Sequence, residues 1–315
     1  MRDAFEKLLH NGLVSTPDAP GTLTDVTTGK PRRLASALLS LLTPGLGHAA
    51  IGFWRRAVPW LVAGVVPVIL LYLAVIASAP RLMWFAIGMV FLVRIAALVD
   101  TVRLPRSTRL PRPRIILALV VALVVVEQGA GGWLRTNVVE AFRIPVNSMY
   151  PTLESGDHLL VAKIPATFAR GDVAIFRYPL DQTVRYVKRI VAVGGDTVAI
   201  RDGRLVVNGR MLERSATQDP CPGEEDDRTC AIWRERLDSR FYRIAIAGEA
   251  VHEDFSTQQI PQDHVFLLGD ARGTSQDSRT FGPVPNRLLE GKARFVWWSS
   301  GALGIRLSRL NQLVE

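Results

Sequence analysis

Cysteine is almost missing from this 315-residue sequence: it has two, Cys221 and Cys230, and neither has the paired neighbours of a zinc site. If their segment lies outside the cytosol, a disulfide closing a small loop is the expectation, against two free thiols. Histidine is scarce as well, with five in the chain. The second half holds only His158, His252 and His264, which leaves a histidine-based triad without support. The acidic run Glu224 to Asp227 lacks the ligand and glycine spacing of a calcium loop, so no metal or cofactor is expected. No nucleic-acid motif accompanies the net charge of +9, which excludes the usual reading of a basic chain. Residues 1 to 30 are polar and mixed, without a cleavable targeting peptide.

What is present is apolar sequence concentrated before residue 135, although the mean hydropathy of the chain is only +0.18. Two solvents are implied. Residues 1–33 read as a cytoplasmic tail and 34–134 as a membrane region. Within it, 57–79, 82–99 and 115–134 are expected to span, while 34–53 is broken by Thr43, Pro44, Gly45 and Gly47 and should be re-entrant or interfacial. Arg32 and Arg33 precede that broken segment and Arg55 and Arg56 follow it, so both its ends belong in the cytoplasm by the positive-inside rule. Pro80 and Arg81 should form the external turn between the first two spans. The loop bearing Arg103, Arg106, Arg109, Arg112 and Arg114 is a further inside signal. It sends 115–134 outward and places 135–315 on the extracytosolic side of a multi-pass cytoplasmic-membrane protein. Glu127 is the costly residue of that last span.

From Phe142 the rhythm changes to short β-branched runs punctuated by glycine, proline and aspartate, the pattern of a mainly-β domain. Strands are expected at 158–162, 172–178, 184–193, 197–200, 204–207, 241–246 and 265–268. Asp202-Gly203 and Asn208-Gly209 supply hairpin turns. Residues 214–240 read as an inserted surface loop.

Three clusters carry chemistry. Ser148 follows an apolar extended segment and precedes a proline-stiffened turn, beside a strand edge to which a peptide could add. A serine hydroxyl needs a base. Lys188 offers one, because a period-two strand turns it to the side of Tyr186 and Ile190, and an apolar face disfavours the charged amine. The third cluster runs from Gly269 to Arg279, where Asp277 and Arg279 can pair to pin a loop and Ser275 can hydrogen-bond near a buried amine.

At these blocks, Ser148 to Leu153, Arg170 to Pro179, Tyr186 to Asp196 and Gly269 to Pro285, the sequence resembles the type I signal peptidases in the family's order. The resemblance implies an N-terminal α-helical transmembrane region followed by a signal-peptidase-like β fold. It further implies a serine endopeptidase that removes signal peptides from exported pre-proteins, cutting after small residues. Ser148 takes the nucleophile position, Lys188 the general base, and Ser275 the position that orients the lysine. Phe142, Ile144, Pro145, Met149, Leu153, Tyr186 and Val187 fall around the pockets for small side chains, and Asp277 and Arg279 on a structural pair. The implied partners are pre-proteins and membrane lipid, with no nucleic acid and no cofactor, and a monomer is expected. Val146 departs from the pattern, standing where some members carry an oxyanion-binding serine, and Ala271 replaces the usual asparagine. The alternative reading is a non-catalytic membrane protein whose outer domain binds exported or envelope proteins.

Overall fold

The computed structural model describes residues 29–105, 113–163, 167–219, 221, 230–247 and 254–314. The tail 1–28, the arginine loop 106–112, the acidic run Glu224 to Asp227, His252 and the side chain of Glu127 lie outside the described residues. The chain divides into two compact units, residues 1–64 with 91–120, and 65–90 with 121–315.

The first unit contains helices α1 (Gly29–Leu42) and α2 (Leu46–Ala50). They are separate because Gly45 has φ +90°, and a Cβ there would run into the Ala57 carbonyl oxygen. The segment 34–53 is thus a broken helical pair, as its Thr43-Pro44-Gly45 sequence requires. Its buried polar groups are satisfied locally. His48 Nε2 lies 2.9 Å from Asp100 Oδ2, which also accepts from Trp60 Nε1 at 2.9 Å. Thr101 Oγ1 lies 3.2 Å from His48 Nδ1 and 2.9 Å from Ser40 Oγ.

Helices α3 (Trp54–Ile76) and α4 (Pro80–Arg103) have 23 and 24 residues and are long and apolar enough to cross a bilayer, each roughly 35 Å at 1.5 Å per residue. Val62, Ile69, Leu73, Phe85 and Leu92 are left exposed along them, as suits contact with lipid. Pro80 and Arg81, expected as the turn, instead open α4. Proline is favoured at a first helical position, where no backbone N–H is needed, so the turn moves to Ala77–Ala79, with Ser78 at φ +53°. Helix α5 (Pro113–Asn137) runs three residues past the expected end of the third span.

The second unit is a mainly-β domain. Its largest sheet has the order β1-β2-β14-β3-β4-β12-β13, with β15 paired to β14. The strands are β1 (Val139–Arg143), β2 (Asp157–Ala162), β3 (Val173–Tyr178), β4 (Asp181–Val193), β12 (His264–Leu268), β13 (Val284–Pro285), β14 (Leu289–Gly301) and β15 (Gly304–Ile305). A second sheet, β11-β5-β6-β7, is formed by β5 (Thr197–Arg201), β6 (Arg204–Val207), β7 (Arg210–Met211) and β11 (Phe255–Gln259). Both foreseen hairpin turns have left-handed residues, Asp202 and Gly203 at φ +49° and +65°, Asn208 and Gly209 at +52° and +75°.

The expected surface loop 214–240 is, in its described part, mostly strand. Strands β8 (Glu213–Ala216), β9 (Cys230–Leu237) and β10 (Arg240–Ala247) make a third sheet. The charged residues of β9 mask its strand character: Ile232 and Leu237 are buried, and so is Glu235, whose carboxylate is held by Arg272 and the Tyr242 hydroxyl. Cys221 and Cys230 are joined as a disulfide at the start of β9. The cores are built from fully buried side chains such as Phe176, Phe266 and Phe295, each stabilising by about 2 to 3 kcal/mol through removal of apolar surface from water.

Candidate active site

The register of β3 with β4 sets Lys188 opposite Ala174, Val187 opposite Ile175 and Tyr186 opposite Phe176. Ala174 leaves room for the lysine stem in a layer whose other members are large. Lys188 is 3% exposed, and its Nζ lies 5.8 Å from the centre of the Tyr186 ring. Burial, the largest influence, pulls the amine pKa down to about 8, with Asp277 and Asp270 opposing the shift. A neutral amine is therefore well populated just above neutral pH.

Strand β12 pairs with β4 on its other side, with Leu268 opposite Arg189, so the chain leaves β12 into the Gly269 loop beside the lysine. Asp277 organises that loop. Its carboxylate accepts the Gly269 N–H at 3.0 Å, caps helix α6 (Ser278–Phe281) through Arg279 N, and takes both Nε and Nη2 of Arg279 at 2.9 Å. The Asp277–Arg279 pair expected from the sequence is formed. Ser275 places its hydroxyl inside this loop, buried and without a hydrogen-bond partner among the described residues.

Ser148 lies in a compact loop closed on itself, with Ser155 N donating to Asn147 Oδ1 at 2.7 Å and Gly156 N to the Ile144 carbonyl at 2.8 Å. Its carbonyl accepts from Ala271 N at 3.2 Å. A Cβ on Gly269 would collide with the Ser275 hydroxyl and stand 2.6 Å from the same Ser148 carbonyl oxygen, so only glycine fits between the two serines. Among the described residues nothing accepts the Ser148 N–H, and no hydrogen bond joins Lys188 to Ser148 or Ser275.

A buried cluster, not foreseen in the sequence, binds the three segments together. Arg189 donates to Asp270 through Nε at 2.9 Å and Nη2 at 2.8 Å, and through Nη1 to the Gly171 carbonyl at 2.8 Å. Thr152 Oγ1 donates to Asp270 Oδ2 at 2.6 Å. Thr152 comes from the Ser148 loop, Arg189 follows Lys188, and Asp270 follows Gly269. Their polarity is the only mark they carry in the sequence, and each stands in one of the blocks already singled out.

Of the seven expected wall residues, Ile144, Met149 and Leu153 are buried in one apolar cluster, with Phe142 and Val187 packed against it. Tyr186 belongs to a neighbouring cluster, stacked on Tyr178 at 4.7 Å between ring centres, and Pro145 is exposed.

The sequence model described as "Signal peptidase, peptidase S26" matches residues 112–298. A signal peptidase I of Pseudomonas aeruginosa is 35% identical over 195 residues, covering 53% of this chain and 67% of that protein. A signal peptidase I of Aquifex aeolicus is 29% identical over 220 residues, covering 58% and 84%. A crystal structure of a signal peptidase I from Enterococcus faecalis aligns at 24% identity and a TM-score of 0.25, over 40% of this chain and 96% of that one. The chain belongs to the signal peptidase family, peptidase S26. It is accordingly a serine peptidase with apolar helices suited to membrane anchoring.

Proposed function

We propose that this chain removes signal peptides from exported pre-proteins by an acyl-enzyme mechanism with Ser148 as nucleophile and Lys188 as general base. The observation that carries the reading is the buried lysine, with its pKa near 8, on the strand that the Arg189–Asp270–Thr152 cluster ties to the Ser148 loop. Neutral Nζ takes the Ser148 proton as Oγ bonds to the scissile carbonyl carbon. The resulting ammonium returns that proton to the leaving amine as the C–N bond breaks. Water then loses a proton to Lys188 Nζ as its oxygen bonds to the acyl carbon, and Nζ passes that proton to Ser148 Oγ as the ester C–O bond breaks. Ser275, in the loop wall, orients the lysine in this scheme, and the Ser148 N–H stabilises the oxyanion.

A pre-protein segment adds along β1, whose outer edge pairs with no other described strand. The bulk of Phe142, Ile144, Met149, Leu153 and Val187 supports a choice of small side chains before the cut. The arginine-rich flanks support an extracytosolic peptidase domain, with α5 as a third crossing. The test is cleavage of a signal-bearing precursor by Ser148→Ala and Lys188→Ala. Both variants are expected to lose activity by at least about 1,000-fold, and full processing by either would end this assignment.

A further inference from the structure

A cavity of about 540 Å³ in the second unit is lined by Ser78, Asp172, Arg234, Arg240, Lys292 and Arg294, among others. Its charge is unbalanced, four cations against one carboxylate. Asp172 is already engaged twice, by Arg240 Nη1 at 2.7 Å and by Lys292 Nζ at 2.6 Å. Arg234 has no ion pair among the described residues, and its guanidinium lies 4.3 Å from the Phe241 ring centre. Arg294 Nε is buried with no hydrogen-bond partner among the described residues. Burial lowers the pKa of Arg294, and only Asp172 opposes that shift, as for a cation short of a counter-charge.

The cavity's height relative to lipid follows from Ser78. The turn it occupies joins the ends of α3 and α4, whose residues Ala74, Val75 and Met83 pack with Val138, Val139 and Phe295 of the β domain. With those helices crossing the bilayer, the cavity opens where the lipid-exposed apolar column stops, at the depth of head groups. Phosphate is the abundant anion there, and a guanidinium pair matches its oxygens with two-pronged hydrogen bonds.

We infer that this cavity is a binding site for a phosphate group, with Arg234 and Arg294 as its unclaimed donors and a lipid head group at the membrane surface as its occupant. Such a site would fix the peptidase domain's height and tilt on the membrane, independently of Ser148 and Lys188.

The test uses the full chain in a phosphate-free detergent, titrated separately with dihexanoyl phosphatidylglycerol and with inorganic phosphate and followed by phosphorus NMR. The double variant Arg234→Gln/Arg294→Gln should bind about ten-fold or more weakly, while its precursor cleavage in detergent stays at the wild-type level. Lipid binding lost in the variant assigns the site to a head group. Binding of inorganic phosphate alone, lost in the variant, keeps the anion site but assigns it to a free ion. Binding of neither probe, or binding unchanged by the double substitution, overturns the inference. Should the double variant not fold, Arg234→Gln at its exposed strand position must alone weaken binding, and an unchanged affinity there overturns it equally.

Discussion

Arg189 and Asp270 meet in a two-pronged ion pair, Nε to Oδ1 at 2.9 Å and Nη2 to Oδ2 at 2.8 Å, with both side chains 1% exposed. Each is the chain neighbour of a site residue, Arg189 of Lys188 and Asp270 of Gly269. The pair therefore sets the distance between the lysine strand and the loop that holds Ser275. Removing one partner leaves an uncompensated buried charge. Arg189→Met is expected to lower unfolding free energy by about 3 to 5 kcal/mol, measured by urea denaturation of the full chain in detergent. A loss below about 1 kcal/mol would mean that the pair is solvated in solution.

Gly269 is the second point of control. Gly269→Ala puts a methyl group against the Ser275 hydroxyl and the Ser148 carbonyl. The expected result is a fall in kcat of about 100-fold, the usual effect of displacing reacting groups by an ångström, with substrate KM little changed. Unaltered turnover would show that the two serines need not approach so closely.

Lys188 has a cost in stability. Its pKa falls from 10.5 to about 8 on folding. Between those values the unfolded chain binds the proton and the native chain does not, so stability rises with pH across that window, and below it the buried ammonium stays destabilising. The shift corresponds to about 3 kcal/mol as an upper estimate. Lys188→Met keeps the stem and removes the charge. It should abolish cleavage yet raise stability at neutral pH and flatten the rise between pH 8 and 10.5, measured by denaturation at a series of pH values. A variant less stable than the wild type at pH 7 would contradict the burial argument.

In the proposed mechanism the Ser148 N–H is the one oxyanion donor assigned, and Val146, 59% exposed, has no donor on its side chain. Val146→Ser adds a hydroxyl at the position used by some relatives. An increase in kcat of about ten-fold is expected, a fraction of what a full oxyanion donor contributes. No increase, measured on the same precursor, would mean that another group already fills that role.

Much of this was legible in the sequence, for reasons that particular residues make clear. Strand β4 is rich in β-branched residues around Lys188, and the Asp-Gly and Asn-Gly pairs force their turns, so local chemistry sufficed. Strand β14 was not foreseen, although at 13 residues it joins β2 to β3 in the main sheet. Gly291, Lys292 and Arg294 interrupt its apolar run, and register shifts between Ala293 and Phe295 and between Val296 and Trp298 break its period. Strand β9 was hidden for a related reason: Glu235 is buried, and its partners, Arg272 37 positions on and Tyr242 across the hairpin, make that tolerable. At the site, Ser148, Lys188, Ser275 and the Asp277–Arg279 pair stood out by type and spacing. Thr152, Arg189 and Asp270 did not, because their role depends on contacts between residues 37 to 118 positions apart.

The neutral lysine is tested most directly by the pH dependence of kcat/KM for precursor cleavage, which reports the free enzyme's essential base. The expected result is an ascending limb governed by one group with a pKa of about 8, activity rising as Lys188 loses its proton. A limb centred near pH 6.5, the ordinary range of histidine, or a rate that does not change between pH 6 and 9, would contradict it.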